Sequence, residues 1–449
     1  LFYAGDYDEV IRNVEEILAV DKSRAYMNRL AGYSNYEKKN ADYDKASSYM
    51  EELFKSLPAD RILWKDHHYM ARILLRKNQN YPKLADELSR LENQLEREEG
   101  SYASASAANK AKMKPALDEL TAKTEEAREK VAAANKELDR AFEEYNLVLE
   151  MKPEDRAVMN EMATNSYNTR RYNQAARIWA TLIDPENAKP EDLMQIGRAY
   201  YIGENYKAAD SVFSIVVSKE PGYLPAYTYI ARTYSRMDPD TRMGLARPKF
   251  EKLLEIAQTD SIRNENEMVE ALKYLGYFHM SKDEYSKSRD YYNRLINLNE
   301  SSNDNKISGF NGIGLIELRL AGAEKVNEAR LPFLTRSAEA YEKILAIDPA
   351  NASAKNQISY IRDFEASVRK GINPNEIKGI IRDAASKQPI AYASIRVKDT
   401  AAEMMSNTKG EFKFEIPSGS EVLIISAKGY VAQEVPITKS RVYNVNLAK

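Results

Sequence analysis

The sequence predicts a mostly α-helical protein: a solenoid of stacked helix pairs, interrupted by an inserted helical hairpin and followed by a small all-β sandwich domain. Three observations predict this fold class. A pattern of small and aromatic residues recurs every 34 residues, leucines and alanines follow three- and four-residue spacing between about 84 and 148, and apolar and polar residues alternate near the end of the chain. A period near 34 is typical of paired helices, whereas alternation is typical of β-strands.

The repeat is clearest in segment 190–223. Gly197 and Ala209 are small where two helices must approach closely, Phe213 fills the space between the helices, and Pro221 ends the second helix. The pattern matches the tetratricopeptide repeat (TPR). Further copies are predicted at 25–58, 156–189, 224–258, 269–302 and about 307–349. A longer loop is expected in the last copy, around Ala321–Asn327, and a capping helix is expected after it, at about 351–369.

An insertion separates the N-terminal repeats, 1–79, from the solenoid at 141–370. In the inserted segment, 80–140, Leu84, Leu88, Leu91 and Leu95 follow helical spacing, and a second apolar run continues to Val148. This pattern predicts a helical hairpin or coiled coil whose second arm runs into the next repeat. Two interpretations stay open: surface helices packed on the solenoid, or a protruding arm that binds a partner.

Short alternating runs separated by glycine and proline turns predict a β-sandwich at 376–449. The predicted strands are 377–382, 393–398, 411–416, 422–426 and 441–447. The turn and core positions of this module are Gly379, Asp383, Pro389, Ile390, Ala393, Ser394, Val397, Gly410, Phe412, Phe414, Ile416, Pro417, Leu423, Ser426, Gly429 and Tyr430.

With these residues the module resembles the carboxypeptidase regulatory-like domains that are common in envelope proteins of Bacteroidota. The resemblance implies a β-sandwich without a protease centre. Asp399 departs from the family, which usually has a glycine at that turn. Together with the repeats, the module resembles envelope proteins of Bacteroidota, including accessory proteins of type IX secretion.

Composition and motifs argue against catalysis and against binding of a metal or a cofactor. The formal net charge is −2 and there are no cysteines, so a polycationic nucleic-acid footprint and disulfides are both excluded. The sequence contains no nucleophile motif and no phosphate-loop motif. A metal site is not expected either, because His67 and His68 are adjacent and His279 occupies a repeat aromatic position. We therefore predict no enzyme activity, no cofactor and no metal. The glycines at 309, 312 and 314 are interpreted as close helix packing.

The first helices of TPR arrays line the concave face. Residues one step beyond the packing positions are expected to be exposed there: Asn160, Thr164, Tyr167, Met194, Arg198, Tyr201, Thr228, Arg232, Lys273 and Tyr277. Tyrosine and arginine are enriched in interface hot spots. We predict that a groove for a peptide or a partner segment is formed by Tyr167, Arg198, Tyr201, Arg232 and Tyr277. The alternative is that some of these side chains pack against the next repeat.

The leading functional hypothesis is a non-enzymatic protein–protein interaction scaffold in a periplasmic, outer-membrane-associated assembly for secretion, envelope biogenesis or transport. One alternative is a peptide- or glycan-binding accessory or chaperone of nutrient uptake. Another is the regulatory part of an enzyme whose catalytic domain lies outside this chain. Leu1–Tyr7 reads as the middle of a repeat. We therefore expect upstream residues, which could include a signal peptide or a lipidated cysteine. The expected partner is an envelope or outer-membrane protein, and membrane association would come either through that partner or through a lipidated N-terminus.

Overall fold

The computed structural model describes residues 1–184, 187–298, 302–370, 375–417, 419–438 and 441–449. Helices account for 69% of the chain, and a small domain of two sheets follows them, so the predicted fold class is confirmed. The chain forms two compact units, Leu1–Thr233 and Tyr234–Lys449.

The first unit consists of helices, the last of which continues into the second unit. Their bounds are α1 Tyr7–Val20, α2 Asn28–Glu37, α3 Tyr43–Ser56, α4 Trp64–Lys77, α5 Tyr81–Ser104, α6 Ala107–Met151, α7 Arg156–Asn168, α8 Tyr172–Leu182, α9 Pro190–Ile202, α10 Tyr206–Lys219 and α11 Leu224–Met237.

The same tight turn joins the two helices of several repeats. Arg170 and Glu204, which are 34 residues apart, both adopt left-handed backbone angles, with φ of 64° and 59°. In each case the next backbone N–H donates to a carbonyl five residues earlier, from Arg171 to Ser166 at 2.8 Å and from Asn205 to Tyr200 at 2.9 Å. These hydrogen bonds satisfy carbonyls that the end of the first helix would leave unpaired. The 34-residue repeat is therefore present in the backbone conformation of these turns as well as in the sequence.

Small residues on the first helix of each pair make room for large ones on the second. A Cβ at Gly197 would overlap the ring of Phe213, and a Cβ at Gly276 would lie 2.9 Å from the Tyr292 ring. Ala209 and Phe213 are fully buried. Replacing either glycine would force the helices apart or distort the aromatic side chain, because interiors are close-packed.

The inserted hairpin is an arm made of α5 and the first part of α6. The two helices pack on each other through Leu91, Leu95 and Leu120. At the base, the Arg170 guanidinium donates to the Pro82 carbonyl at 3.0 Å and pairs with the Asp86 carboxylate at 2.6 Å. Beyond that base, the helix against which α5 packs in the described residues is α6.

The C-terminal half of α6 completes the repeat that α4 begins. Leu138, Ala141, Tyr145 and Val148 are fully buried in the same core as residues of α4. One 45-residue helix thus serves both as the return arm of the hairpin and as the second helix of a repeat.

Further helix pairs lie in the second unit, and the last helix packs on the one before it. Their bounds are α12 Arg247–Ala257, α13 Glu265–Ser281, α14 Tyr285–Ile296, α15 Asn303–Ala323, α16 Asn327–Ile347 and α17 Ala352–Arg369.

The sequence-based prediction of a longer loop around Ala321–Asn327 is wrong. The loop between α15 and α16 contains only residues 324–326, and the repeat is longer because both helices have 21 residues. Gly309 faces Ile296, Gly312 faces Tyr292 and Gly314 faces Tyr341 so closely that added Cβ atoms would clash. These glycines therefore serve helix packing.

The C-terminal module has two sheets around one core. One sheet has the order β4-β1-β7, in which β7 is parallel and β4 antiparallel to β1, and the other is an antiparallel sheet of order β3-β2-β5-β6. The strand bounds are β1 Glu376–Asp383, β2 Ser394–Val397, β3 Glu403–Met405, β4 Glu411–Glu415, β5 Val422–Ser426, β6 Gln433–Pro436 and β7 Val442–Leu447.

Alternating side chains of both sheets fill the shared core, with Ile377, Ile395, Leu423 and Ile425 fully buried. Two strands, β3 and β6, were not predicted. Both are short edge strands of three or four residues, and β6 ends at a proline. Such strands carry almost no alternation, because edges of sheets are commonly short and interrupted.

Candidate partner-binding groove

The first helices of the repeats in the first unit line a continuous groove. One part, of about 730 Å³, lies between α2, α4 and α7 and is lined by residues including Tyr36, Arg76 and Asn165. A second part, of about 450 Å³, lies between α7 and α9 and includes Gln195 and Arg198. Asn168 borders both parts, so the two depressions form one surface along successive repeats.

The groove is built from positions that repeat every 34 residues. One position is occupied by Glu161, Gln195 and Tyr229, and the position three residues later by Thr164, Arg198 and Arg232. A third position is occupied by Tyr167 and Tyr201. Residues at i, i+3 and i+6 lie close together on a helix face, so each repeat contributes a short row of side chains to the groove.

A half-buried ionic cluster forms one wall. Glu161 receives two hydrogen bonds from the Arg72 guanidinium, at 2.7 and 2.5 Å, one from His68 at 3.2 Å and one from the Tyr145 hydroxyl at 2.7 Å. Burial opposes ionisation of Glu161, but the hydrogen bonds from Arg72, His68 and Tyr145 outweigh it and hold its pKa below the usual range. The cluster therefore locks α4, α6 and α7 together, and its pair of charges cancels.

Tyr229 is the centre of an aromatic and cationic cluster. The guanidinium carbons of Arg198 and Arg232 lie 5.6 and 5.4 Å from its ring centroid, and Tyr201 meets it edge to face at 5.5 Å. The Phe213 ring supports it from within at 5.3 Å. Within the described residues Arg198 forms no salt bridge, so its charge is available to a partner.

Four of the five predicted site residues lie in this unit. Arg198, Tyr201 and Arg232 surround Tyr229, whereas Tyr167 packs against Trp179 at 5.7 Å and Tyr172 at 5.2 Å. Burial raises the pKa of the Tyr167 hydroxyl. The fifth, Tyr277, is 48% exposed on α13 and belongs to the second unit. Whether these residues bind a partner remains a prediction.

Two of the exposed positions predicted from the sequence are wrong. Met194 is fully buried and Thr228 is 5% exposed. The groove-facing residues are the next ones along, Gln195 and Tyr229, because the helix turns the earlier position into the repeat core. The 34-residue spacing between Gln195 and Tyr229 is a signal that could have identified them.

The histidines make local contacts. His67 lies 2.5 Å from the Glu144 carboxylate, and His279 pairs with Glu284 and stacks on Tyr291. Across the described ranges, no group of three or more His, Cys, Asp or Glu side chains is arranged to hold a metal ion. Among the helices that the structure describes, none combines the length and apolar character needed to cross a bilayer.

Comparison with known families identifies the last module. Residues 377–449 match the CarboxypepD_reg-like domain. The C-terminal module is a CarboxypepD_reg-like domain. This agrees with the resemblance seen in the sequence, and the domain begins one residue into β1.

Two of the solved structures similar to the chain are described as TPR proteins. The C-terminal part of a TPR repeat-containing protein from Cytophaga hutchinsonii is 19% identical, with 80% of this chain and 96% of that one covered and a TM-score of 0.33. A thermophilic TPR protein from Thermus thermophilus is 14% identical, with 46% and 98% covered and a TM-score of 0.26. No curated protein matches the chain.

Proposed function

We propose that this protein is a non-enzymatic scaffold that holds an extended segment of a protein partner in the groove of its first unit. The observation that carries the proposal is the Tyr229 cluster. In this cluster the exposed Arg198 lies over the Tyr229 ring, which contacts Tyr201, and Tyr201 in turn contacts Tyr206. Arg198 lines the same depression as the amides of Gln195 and Asn168.

This set of side chains suits a polypeptide. Amide groups can donate to and accept from a peptide backbone, and half-buried tyrosines offer apolar area with a polar tip. An unpaired guanidinium can bind a partner carboxylate bidentately. Contacts of this kind concentrate binding energy in a few aromatic and arginine residues.

We also propose that the assembly is periplasmic and associated with the outer membrane. The CarboxypepD_reg-like domain supports this placement. Its sequence resembles domains that are common in envelope proteins of Bacteroidota. The absence of cysteine is compatible with an oxidising compartment.

The test is capture of the partner from native envelope, using crosslinking, pull-down and mass spectrometry. The variant Arg198→Ala with Tyr201→Ala removes one of the two cations and one ring from the cluster. We expect capture to fall at least about tenfold, because losing a charged hydrogen bond and an aromatic anchor each weakens binding by this order. Arg177→Ala, exposed on α8 outside the groove lining, is the matched control.

Two results would contradict the proposal. Undiminished capture by a folded double variant would remove the groove from partner binding. Recovery of cytosolic proteins alone would overturn the envelope placement while leaving the groove intact. A purified chain that carries a bound glycan or free peptide in the groove would instead favour an accessory of nutrient uptake.

A further inference from the structure

A second groove lies in the second unit, between α14 and α16. Its volume is about 450 Å³, and its floor is the outward face of α15. Phe310, Ile313 and Leu320 line that floor, with Ile296 and Phe333 on the two walls. All five side chains are half-buried, so the floor is apolar and reachable from solvent.

The apolar floor runs along the helix axis. Phe310, Ile313, Glu317 and Leu320 are separated by three, four and three residues, which places them on one face of α15. Ten residues at 1.5 Å each make this stripe about 15 Å long. A helix that binds in such a groove offers its own residues at i, i+3, i+4 and i+7.

A fixed pair of arginines stands at the groove. Glu317 is 2% exposed and accepts hydrogen bonds from Arg289 on α14 and, at 2.8 Å, from the Nε of Arg336 on α16. The two arginine side chains are 38% and 47% exposed. Among the described residues, each guanidinium directs one nitrogen at Glu317. A guanidinium carries five N–H donors in all, so donors remain available on both walls.

The charges of this cluster do not cancel. Two guanidinium groups share one carboxylate, which leaves one positive charge at a half-buried position. Lys343 adds a third cation 5.3 Å from the Phe310 ring, and Glu339 is the remaining anion of the lining. Among the described residues that line the groove, three cations stand against two anions, a net charge of +1, in a chain whose formal net charge is −2.

We propose that this groove binds an acidic amphipathic helix of a protein partner. Apolar side chains of the partner would cover Phe310, Ile313 and Leu320, and a partner carboxylate would accept from Arg289 and Arg336 at once. That carboxylate would neutralise the Arg–Glu–Arg cluster, and the buried Glu317 holds both guanidinium groups in place beforehand. This surface is separate from the groove of the first unit and is an additional binding site.

The test uses three fluorescein-labelled helical peptides of 14 residues and the full chain. They carry leucine at i, i+3, i+4 and i+7, and their polar faces differ: glutamate, glutamine or lysine. We expect fluorescence anisotropy to show that the glutamate peptide binds at least about tenfold more tightly than the glutamine peptide, because each charged hydrogen bond contributes on this scale. The difference should shrink as salt is raised.

Variants place the binding site. Arg336→Gln should weaken the glutamate peptide about tenfold and leave the glutamine peptide unchanged, since Arg289 still satisfies Glu317. Phe333→Ser should weaken both peptides. Arg362→Gln, exposed on α17 in the same unit, is the matched control and should bind as the unaltered chain does.

Several outcomes would overturn the proposal. Equal binding of the three peptides, or binding that Arg336→Gln does not alter, would remove the charge selection. A change of oligomeric state caused by Phe333→Ser, measured by analytical ultracentrifugation, would assign the groove to a second copy of the chain. None of these results bears on capture through Arg198, so this proposal can fail while the first groove stands.

Discussion

Two glutamates, one at each groove, are surrounded by different charges. Glu161 in the first unit is matched by one arginine, and its other partners are His68 and the Tyr145 hydroxyl. Glu317 in the second unit is matched by two arginines. The first cluster closes on itself as a structural link between helices, whereas the second leaves a positive charge beside an apolar floor.

The difference shows that a shared repeat can present unlike surfaces. In the first groove the side chains available to a partner include amides, tyrosines and the charged residues Arg76, Glu191 and Arg198. In the second groove it consists of an apolar stripe and anchored guanidinium groups. We therefore expect two kinds of partner segment, one extended and one helical and acidic.

The largest effect on stability is expected for Glu161→Ala. The change removes the acceptor of Arg72, His68 and the fully buried Tyr145, so the free energy of unfolding should fall by about 3 kcal/mol. Both tryptophans, Trp64 and Trp179, lie in this unit, and their fluorescence during urea denaturation reports its unfolding. Asn160→Ala, exposed on the same helix, should change stability by less than about 0.5 kcal/mol.

A smaller loss, about 1.5 kcal/mol, is expected for Glu317→Ala. Arg289 and Arg336 are 38% and 47% exposed and can turn towards water when the carboxylate is removed. Hydrogen exchange across α15 measures the loss. If burial of the carboxylate alone decided the loss of stability, Glu317→Ala would lose more than Glu161→Ala, because Glu317 is 2% exposed and Glu161 is 26% exposed. A larger loss for Glu317→Ala would contradict the difference proposed between the two clusters.

Acid should weaken the first unit through Glu161. Its pKa is lowered in the folded state, so the stabilisation is complete above the unfolded pKa of about 4.3 and is lost as pH falls below it. One such group changes the unfolding free energy by at most about 1.4 kcal/mol per pH unit. The tryptophan-detected urea midpoint should fall less steeply between pH 5 and pH 3 in Glu161→Gln. An unchanged slope would show that other carboxylates cause the acid loss.

The smallest effect on stability is expected for Arg198→Ala. This side chain is exposed and forms no salt bridge within the described residues, so the urea midpoint should stay within the equivalent of about 0.5 kcal/mol. Binding of the partner should nevertheless fall. A loss of stability near that of Glu161→Ala would mean that Arg198 holds the repeats together instead of facing a partner.

Much of the fold could be predicted because it is local. The spacing of Gly197, Ala209 and Phe213 encodes which helices touch, and the alternation around Ile395 and Ile425 encodes the central strands. The short edge strands β3 and β6 could not be predicted, since three or four residues carry too little alternation.

The groove was harder to predict than the fold. The positions of Arg198, Tyr201 and Arg232 follow from the repeat, but Tyr229, around which they gather, was assigned to neither core nor surface. The groove in the second unit could not be foreseen, because it depends on how far apart α14 and α16 lie over α15 and on the Arg–Glu–Arg cluster they share. Such long-range contacts leave no periodic trace in the sequence.

We infer that the two grooves hold different partner segments. The most direct test places a photo-crosslinking amino acid at Gln195, in the first groove, or at Asn293, in the second, in cells that express the chain. Mass spectrometry should then identify distinct crosslinked peptides, with acidic amphipathic sequences captured from position 293. Capture of the same peptide from both positions, or of no peptide above a control at exposed Arg177, would contradict the account.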